Sequence, residues 1–460
     1  MSVLPVFEHE VSFAPESAAE TLREVPTRAG VVALFGHSSN DRPFLMQSAN
    51  LRRRLQRLLL PPEGQTKRLN LRDRVARVAW RETQSELESL LLLYRAMRTA
   101  FGADEARRKL RLSPPFTVRY AVENRFPRIY VTNHLRRRSL HTTFGPFASR
   151  LDAERYREAV EDLFVVRRCF LELHPSQDDP GCIYGEMHKC LAPCQQRCTD
   201  AEYHAEAERS LAFLKTRGES LAAEHESARD AASADMLFEE AAAAHARATK
   251  AKSTGAIADA LVGPLDALRA VLLVPLRVPG ETPEVQVFVF ADGCLRGPER
   301  VSLLGVRLAR KQAEVGSSLF AQPHMVSAVS LDASRGGASG EDTAPAANSP
   351  EPTHPSIQVT PEERMAAAIA RLEEGPGAQE TATLGDYLAL LRRWYYRPEK
   401  QRNGLLFQPD RGAWPLRRMV HGAAKLATPE PVRVETPAAA AGATDTTAPP
   451  EATLTAERFS

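Results

Sequence analysis

The sequence predicts an α+β protein assembled from several small units, and three observations predict it. Short β-branched and apolar runs bounded by Gly and Pro, such as Gly30–Phe35 and Val285–Phe290, are interspersed with stretches of helical periodicity. Five of the six cysteines fall between Cys169 and Cys198, a separate cysteine-rich region. At 460 residues the chain has room for two to four domains.

The elements follow in order. Gly30–Phe35 reads as a buried strand, Gly36–Pro43 as a turn and Phe44–Met46 as a second strand. A helix begins near Asn50 and runs until the Pro61-Pro62 pair stops it. Phe116–Val122 reads as a strand, Asn124–Arg128 as a turn into another, and His141–Phe147 as the bend before a helix from Leu151. That helix carries Tyr156, Val160, Leu163 and Phe164 at core spacing and leads directly to Cys169. Thr199-Asp-Ala-Glu202 is a capping box, predicting one helix to Gly218 and a second, Ala- and Glu-rich, to Lys252. Three strands follow from Leu268, the last two joined by a tight Asp292-Gly293 turn. Residues 333–359 are too rich in Gly, Ala, Ser, Pro and acid to fold, and Thr360 then caps a further helix with Pro361 in its first turn. Trp394, Tyr395 and Tyr396 with nearby arginines suit either a core or base stacking. The expected units are 25–112, 113–198, 199–252, a β-meander at 265–332, a linker at 333–359, a C-terminal region at 360–426 and a disordered tail at 427–460.

Net charge is only +2, but residues 51–140 hold 22 Lys and Arg against 8 Asp and Glu. A basic front end of this kind is suited to a polyanion. No apolar run approaches the ~18–20 residues that span a bilayer. The first ten residues show neither a basic n-region nor an apolar h-region, so a cytoplasmic location is expected and a disulfide framework is disfavoured. The cysteines are spaced C-x12-C-x7-C-x3-C, with Cys198 after a further x3. Four soft thiolates suit tetrahedral zinc or an iron-sulfur cubane, and spacing alone does not separate them.

The words around those cysteines, Val-Arg-Arg-Cys169, Cys182-Ile-Tyr-Gly-Glu-Met-His-Lys-Cys190-Leu-Ala-Pro-Cys194 and Asp200-Ala-Glu-Tyr203, resemble the central region of the bacterial UvrC-type family, the incision component of excinuclease ABC. The resemblance implies a metal site on Cys169, Cys182, Cys190 and Cys194, holding a [4Fe-4S] cluster or alternatively Zn2+, with Cys198 as a spare thiol. It also implies a GIY-YIG nuclease domain at the front, and Asn50-Leu-Arg-Arg-Arg54-Leu55 fits that domain's N-L-R-x-R-L block. The other blocks depart from it. Val32 stands at the tyrosine of G-V-Y, Phe44-Leu45-Met46 stands at Y-V-G, and Leu93 replaces the metal-binding glutamate of S-E-x-E-A-L-L-L-E. Glu88 points to another helix face, and Glu86 lies about 10 Å along the axis.

Arg54 is therefore the one retained member of the family's catalytic set, and an arginine alone supplies neither nucleophile nor metal. Mg2+ enters only if the nuclease site is active. Arg52, Arg53, Arg57, Lys67, Arg68 and Arg128 are candidate DNA-binding residues, and Arg136–Arg138 form a further basic hairpin. Phe238, Glu239, Ala241 and Ala242 resemble the F-E-x-A-A signature of the UVR motif, which implies the UvrB component of the excinuclease as a partner. Full-length members continue into an RNase H-like domain with an Asp/Asp/His set, and no matching constellation is visible here. The expected function is a shortened, DNA-binding relative of the UvrC-type excinucleases of nucleotide excision repair, with an inactive nuclease site. The alternatives are an active nuclease making a single incision and a non-catalytic adaptor outside repair, which would lack salt-dependent DNA affinity.

Overall fold

The computed structural model describes residues 6–38, 41–61, 69–306, 359–398 and 401–427. Their framework is three four-stranded sheets, each antiparallel.

The first sheet takes β1 (His9–Ser12), β2 (Gly30–Phe35), β3 (Phe44–Ser48) and β4 (Arg77–Glu82) in the order β1-β4-β2-β3. Every residue of β2 is buried, because this central strand is covered on both faces. Val32 and Leu34 face α1 (Ala18–Glu24) and α2 (Leu51–Leu59), whose Leu22, Leu51 and Leu55 complete one core. Val31, Ala33 and Phe35, one step out of phase, face α3 (Glu86–Phe101) and α4 (Ala103–Leu110). Gly30 is required where β2 starts, since a Cβ there would sit 2.3 Å from the Arg81 carbonyl oxygen. Asn50 caps α2 by accepting from the Arg53 amide at 2.9 Å. The expected strand, turn, strand and helix are present, and β1 and β4 extend the sheet beyond that reading.

The second sheet, β6-β5-β7-β8, holds β5 (Thr117–Tyr120), β6 (Ile129–Thr132), β7 (Thr143–Gly145) and β8 (Gly263–Pro264). Its core takes Tyr156 and Val160 from α5 (Arg150–Glu161). After a short α6 (Ile183–Glu186) comes α7 (Asp200–Thr216), whose capping box on Thr199 and Glu202 forms as expected. The single helix expected from 219 to 252 is instead two, α8 (Glu219–Ala234) and α9 (Phe238–Gly255). The chain reverses between them at Asp235–Leu237, where Met236 takes φ 57°. Helical propensity is uniform across that stretch, so composition alone hid the break.

The third sheet, β11-β10-β9-β12, unites segments expected to be separate. β9 (Ala270–Pro275), β10 (Glu284–Ala291) and β11 (Cys294–Ser302) are the predicted meander, and Asp292 and Gly293 turn at φ 50° and 74°. β12 (Leu405–Phe407) pairs with β9, α10 (Pro361–Glu373) and α12 (Leu416–Ala427) cover one face, and α11 (Thr381–Tyr395) covers the other. The meander and the C-terminal region are thus one unit, since neither alone buries both faces of β9 and β10. Trp394 is buried in its core, and Tyr396 donates to the Pro146 carbonyl at 2.8 Å, so these aromatics pack the interior. The expected linker apart from Val359, the tail apart from Ala427, and residues 307–332 of the expected meander lie outside the described residues. No helix among the described residues is long and apolar enough to cross a membrane.

Candidate metal centre and nucleic-acid face

Cys169, Cys182, Cys190 and Cys194 are brought into one neighbourhood by the loops that follow α5. Cys182 precedes α6, Cys190 follows it, and Cys194 lies in a tight turn at Pro193–Gln195. His188, Ala192 and Gln196 all take left-handed backbone, with φ of 54°, 52° and 54°, reversing the chain around Cys190 and Cys194. Such positions are uncommon for non-glycine residues and persist where surrounding contacts impose them.

Those contacts are specific. Asp162, just past the end of α5, accepts from Arg168 at 3.1 Å and from Lys189 at 3.2 Å, so one carboxylate ties the residue before Cys169 to the residue before Cys190. Burial alone would raise the Asp162 pKa, but these two hydrogen bonds outweigh it and hold the carboxyl below its ordinary value. The Leu191 amide donates to the Val165 carbonyl at 3.0 Å, and the Ser176 amide to the Cys194 carbonyl at 2.9 Å. Tyr203 of α7 accepts from the Arg167 amide at 2.9 Å and donates to the Pro127 carbonyl at 2.7 Å, joining the cysteine loops to the sheet.

The thiols are free. Burial pushes the Cys190 thiol up to about 11, and the nearby Cys169, Cys182 and Cys194 push in the same direction. The Ala192 amide donates to Cys190 Sγ at 3.4 Å. Burial raises the Cys198 thiol as well, and Glu202, Asp200 and Cys194 add to it. The side chains as placed share this neighbourhood without forming a ligand shell, and no group of three or more His, Cys, Asp or Glu among the described residues is set to hold a metal ion. The donor chemistry still fits a thiolate-held centre, because a cation among the four sulfurs would offset the burial and mutual repulsion that disfavour their thiolate forms.

The basic face centres on α2. Arg53, Arg54 and Arg57 are exposed, with no side-chain partner among the described residues. Arg52 differs: its Nε donates to Val25 O at 2.7 Å and its Nη2 to Arg23 O at 2.8 Å, so it secures the end of α1. Arg128 differs too, being half-buried, with Nη1 3.2 Å from Cys169 O and its guanidinium 4.3 Å from the Phe170 ring centre. Lys67 and Arg68 lie outside the described residues.

No carboxylate of α3 is free to serve Arg54. Glu86 is held bidentately by Arg397 at 2.7 and 2.8 Å, and that hydrogen bonding lowers its pKa. The buried Glu88 accepts from the Gln84 amide at 2.6 Å and from Gln286 Nε2 at 2.8 Å. Leu93 is buried against the first sheet, and Tyr94 is fully buried with its hydroxyl 3.0 Å from Asp386. Val32 is buried with Leu51 and Leu55, and Phe44, paired with Leu34 across β2 and β3, is exposed, so neither position carries a phenolic hydroxyl.

At the far end of the α8–α9 hairpin, Phe238 and Glu239 are exposed beside an exposed Met236 and Leu237. Ala241 is half-buried and Ala242 exposed, while Ala244, Ala248 and Ala251 are buried. The sequence reading missed Asp162, whose only signal is its acid charge seven residues before Cys169.

Comparison with known proteins fits this arrangement. Residues 116–213 match the UvrC/Cho excinuclease middle domain, which covers most of the second sheet, the cysteine loops and most of α7. Similar curated proteins are named UvrABC system protein C. The protein of Trichlorobacter lovleyi is 26% identical over 48% of this chain and 36% of its own length. That of Caulobacter vibrioides is 24% identical over 60% and 42%, and that of Dehalococcoides mccartyi 23% identical over 64% and 47%. The alignments therefore span well under two thirds of these relatives. No solved structure matches the chain. Residues 116–213, with their sheet and cysteine loops, are thus similar to the middle domain of the UvrC/Cho excinucleases, and the chain as a whole is similar to about half or less of the length of these UvrABC system C proteins.

Proposed function

We propose that this protein binds DNA in nucleotide excision repair through a GIY-YIG-like first sheet and α2, beside a four-cysteine metal site, and that its GIY-YIG site does not cleave. The single observation that carries the loss of cleavage is the engagement of Glu86 by Arg397 and of Glu88 by Gln286. A hard divalent cation such as Mg2+ needs oxygen ligands, and neither carboxylate of α3 is available beside Arg54. What remains on α2 is Arg53, Arg54 and Arg57, which neutralise phosphates and release counterions without breaking a bond.

Cys169, Cys182, Cys190 and Cys194 would hold a [4Fe-4S] cluster, with Zn2+ as the alternative for the same donors. When bound, the group supplies the positive charge that keeps four thiolates together. Asp162 and Tyr203 position the loops whether or not it is present. The exposed Phe238 end of the α8–α9 hairpin is the surface proposed to meet UvrB.

The test combines a Mg2+-dependent nicking assay on damaged duplex with a salt-dependent binding titration of the same DNA. Binding without nicking is expected, and nicking abolished by Arg54→Ala would overturn the inactive reading. Metal analysis of anaerobically purified protein, with absorbance near ~400 nm for thiolate-ligated iron, separates iron-sulfur from zinc. A metal-free protein would remove the metal site from the proposal.

A further inference from the structure

We propose that a cleft between the second sheet and the start of α11 is a phosphate-binding site for a nucleic-acid strand. This deepens, and rests on, the DNA-binding reading. The cleft, of about 710 Å³, is lined by Arg119, Arg136, Arg137, Arg138, His141 and Thr381 among others. Its one acidic residue, Glu123, is already ion-paired with Arg119. Arg136 and Arg138 are exposed and have no side-chain partner among the described residues. Arg137 is anchored, donating to the Ala378 carbonyl at 3.3 Å and to that of Gln379, which fixes the arginine loop against the C-terminal unit.

Two further features call for an anion. Arg119 is only 6% exposed, and its Nε is buried without an acceptor although its Nη2 engages Glu123. A buried donor left unsatisfied costs about 1–3 kcal/mol, so an oxygen arriving there is favoured. The fifteen-residue α11 begins at Thr381, and Glu380 makes no side-chain cap, leaving the first amides of a helix dipole at the cleft wall. The occupant is a run of phosphodiesters because the unpartnered Arg136 and Arg138, with the buried Arg119, present several cationic contacts along an open cleft, which match phosphates in series.

The test is a salt titration of the full chain against a 30-nucleotide single strand and its duplex, with inorganic phosphate as competitor. Arg136→Ala combined with Arg138→Ala removes two contacts. The slope of log K against log salt should fall in magnitude by roughly 1.4–1.8, and affinity at 0.1 M salt by roughly 25- to 60-fold. Arg136→Lys with Arg138→Lys should keep most of the slope, which separates lost charge from lost fold. Wild-type binding with an unchanged slope in the alanine pair overturns the cleft and leaves the α2 surface standing. Absence of salt-dependent binding by the wild type overturns the DNA reading itself and the cleft with it. Inorganic phosphate competing as strongly as the oligonucleotide, counted per phosphate, makes the cleft a free-anion site and overturns the nucleic-acid assignment.

Discussion

Glu161 is the residue whose chemistry departs furthest from its ordinary behaviour near neutral pH. It lies near the end of α5, 2% exposed, with Oε1 lacking a hydrogen-bond partner. Burial raises its pKa from 4.5 to about 7, and Arg157 and Arg168 only partly oppose the shift. A carboxyl whose folded pKa lies above its unfolded one favours folding while it stays protonated. Stability linked to Glu161 is therefore full below about pH 4.5 and lost as pH rises through about 7. The loss amounts to about 3 kcal/mol. In urea denaturation followed from pH 4.5 to 8, Glu161→Gln should abolish this component and be more stable than wild type above pH 7. Its neighbour Asp162 has the opposite sign, and the difference is the partner: two direct cations at Asp162 against an unsatisfied oxygen at Glu161.

Among the elements, α3 explains most about the molecule. Its Leu90–Leu93 run looks over-hydrophobic for a surface helix, and the packing accounts for it. Leu92 and Leu93 pack on the first sheet, while Leu87, Leu91 and Tyr94 pack on the third. A helix buried on opposite sides needs apolar residues around most of its circumference. The position that carries a metal-binding glutamate in the resembled nuclease motif is therefore a core position here. The same helix meets α4 and α11 at a buried polar junction, where Asp386 accepts from Tyr94 at 3.0 Å and from Arg107 at 2.6 and 3.1 Å. Asp386→Ala would leave the buried Tyr94 hydroxyl without its acceptor while Arg107 keeps Asp104, and a loss of about 1–3 kcal/mol is expected. Asp386→Asn, which keeps one carbonyl acceptor, should lose less. Chemical denaturation of the two variants checks the order, and equal stability of Asp386→Ala and wild type would contradict it.

For the whole molecule, the third sheet is the joint between its front and its end. Because β12 pairs with β9 and α10, α11 and α12 cover β9–β11, a chain cut after residue 306 would bare the face under α10 and α12 and leave the other covered only in part, by α3. Such a chain should expose hydrophobic surface to a fluorescent apolar dye and lose cooperative unfolding of this unit. Retention of a sharp transition would show that the meander folds alone. The local grammar of the chain was legible: the Asn50 and Thr199 caps, the Asp292-Gly293 turn and the clustering of Cys169–Cys194 all depend on neighbours a few residues away. The cysteine words also pointed to the family whose middle domain residues 116–213 match. Long-range pairings were not legible. Nothing near Arg397 in the chain announces Glu86, nothing near Gln286 announces Glu88, and Arg52 and Arg128 give no sign that nearby carbonyls claim them. The sequence by itself determined most of the helices, the central strands and the cysteine loop, because capping, turn and periodicity act over short distances, but not β1, β4 or the break between α8 and α9. Only the tertiary structure decided which charges stay open to a ligand, because that depends on what distant segments bring beside them.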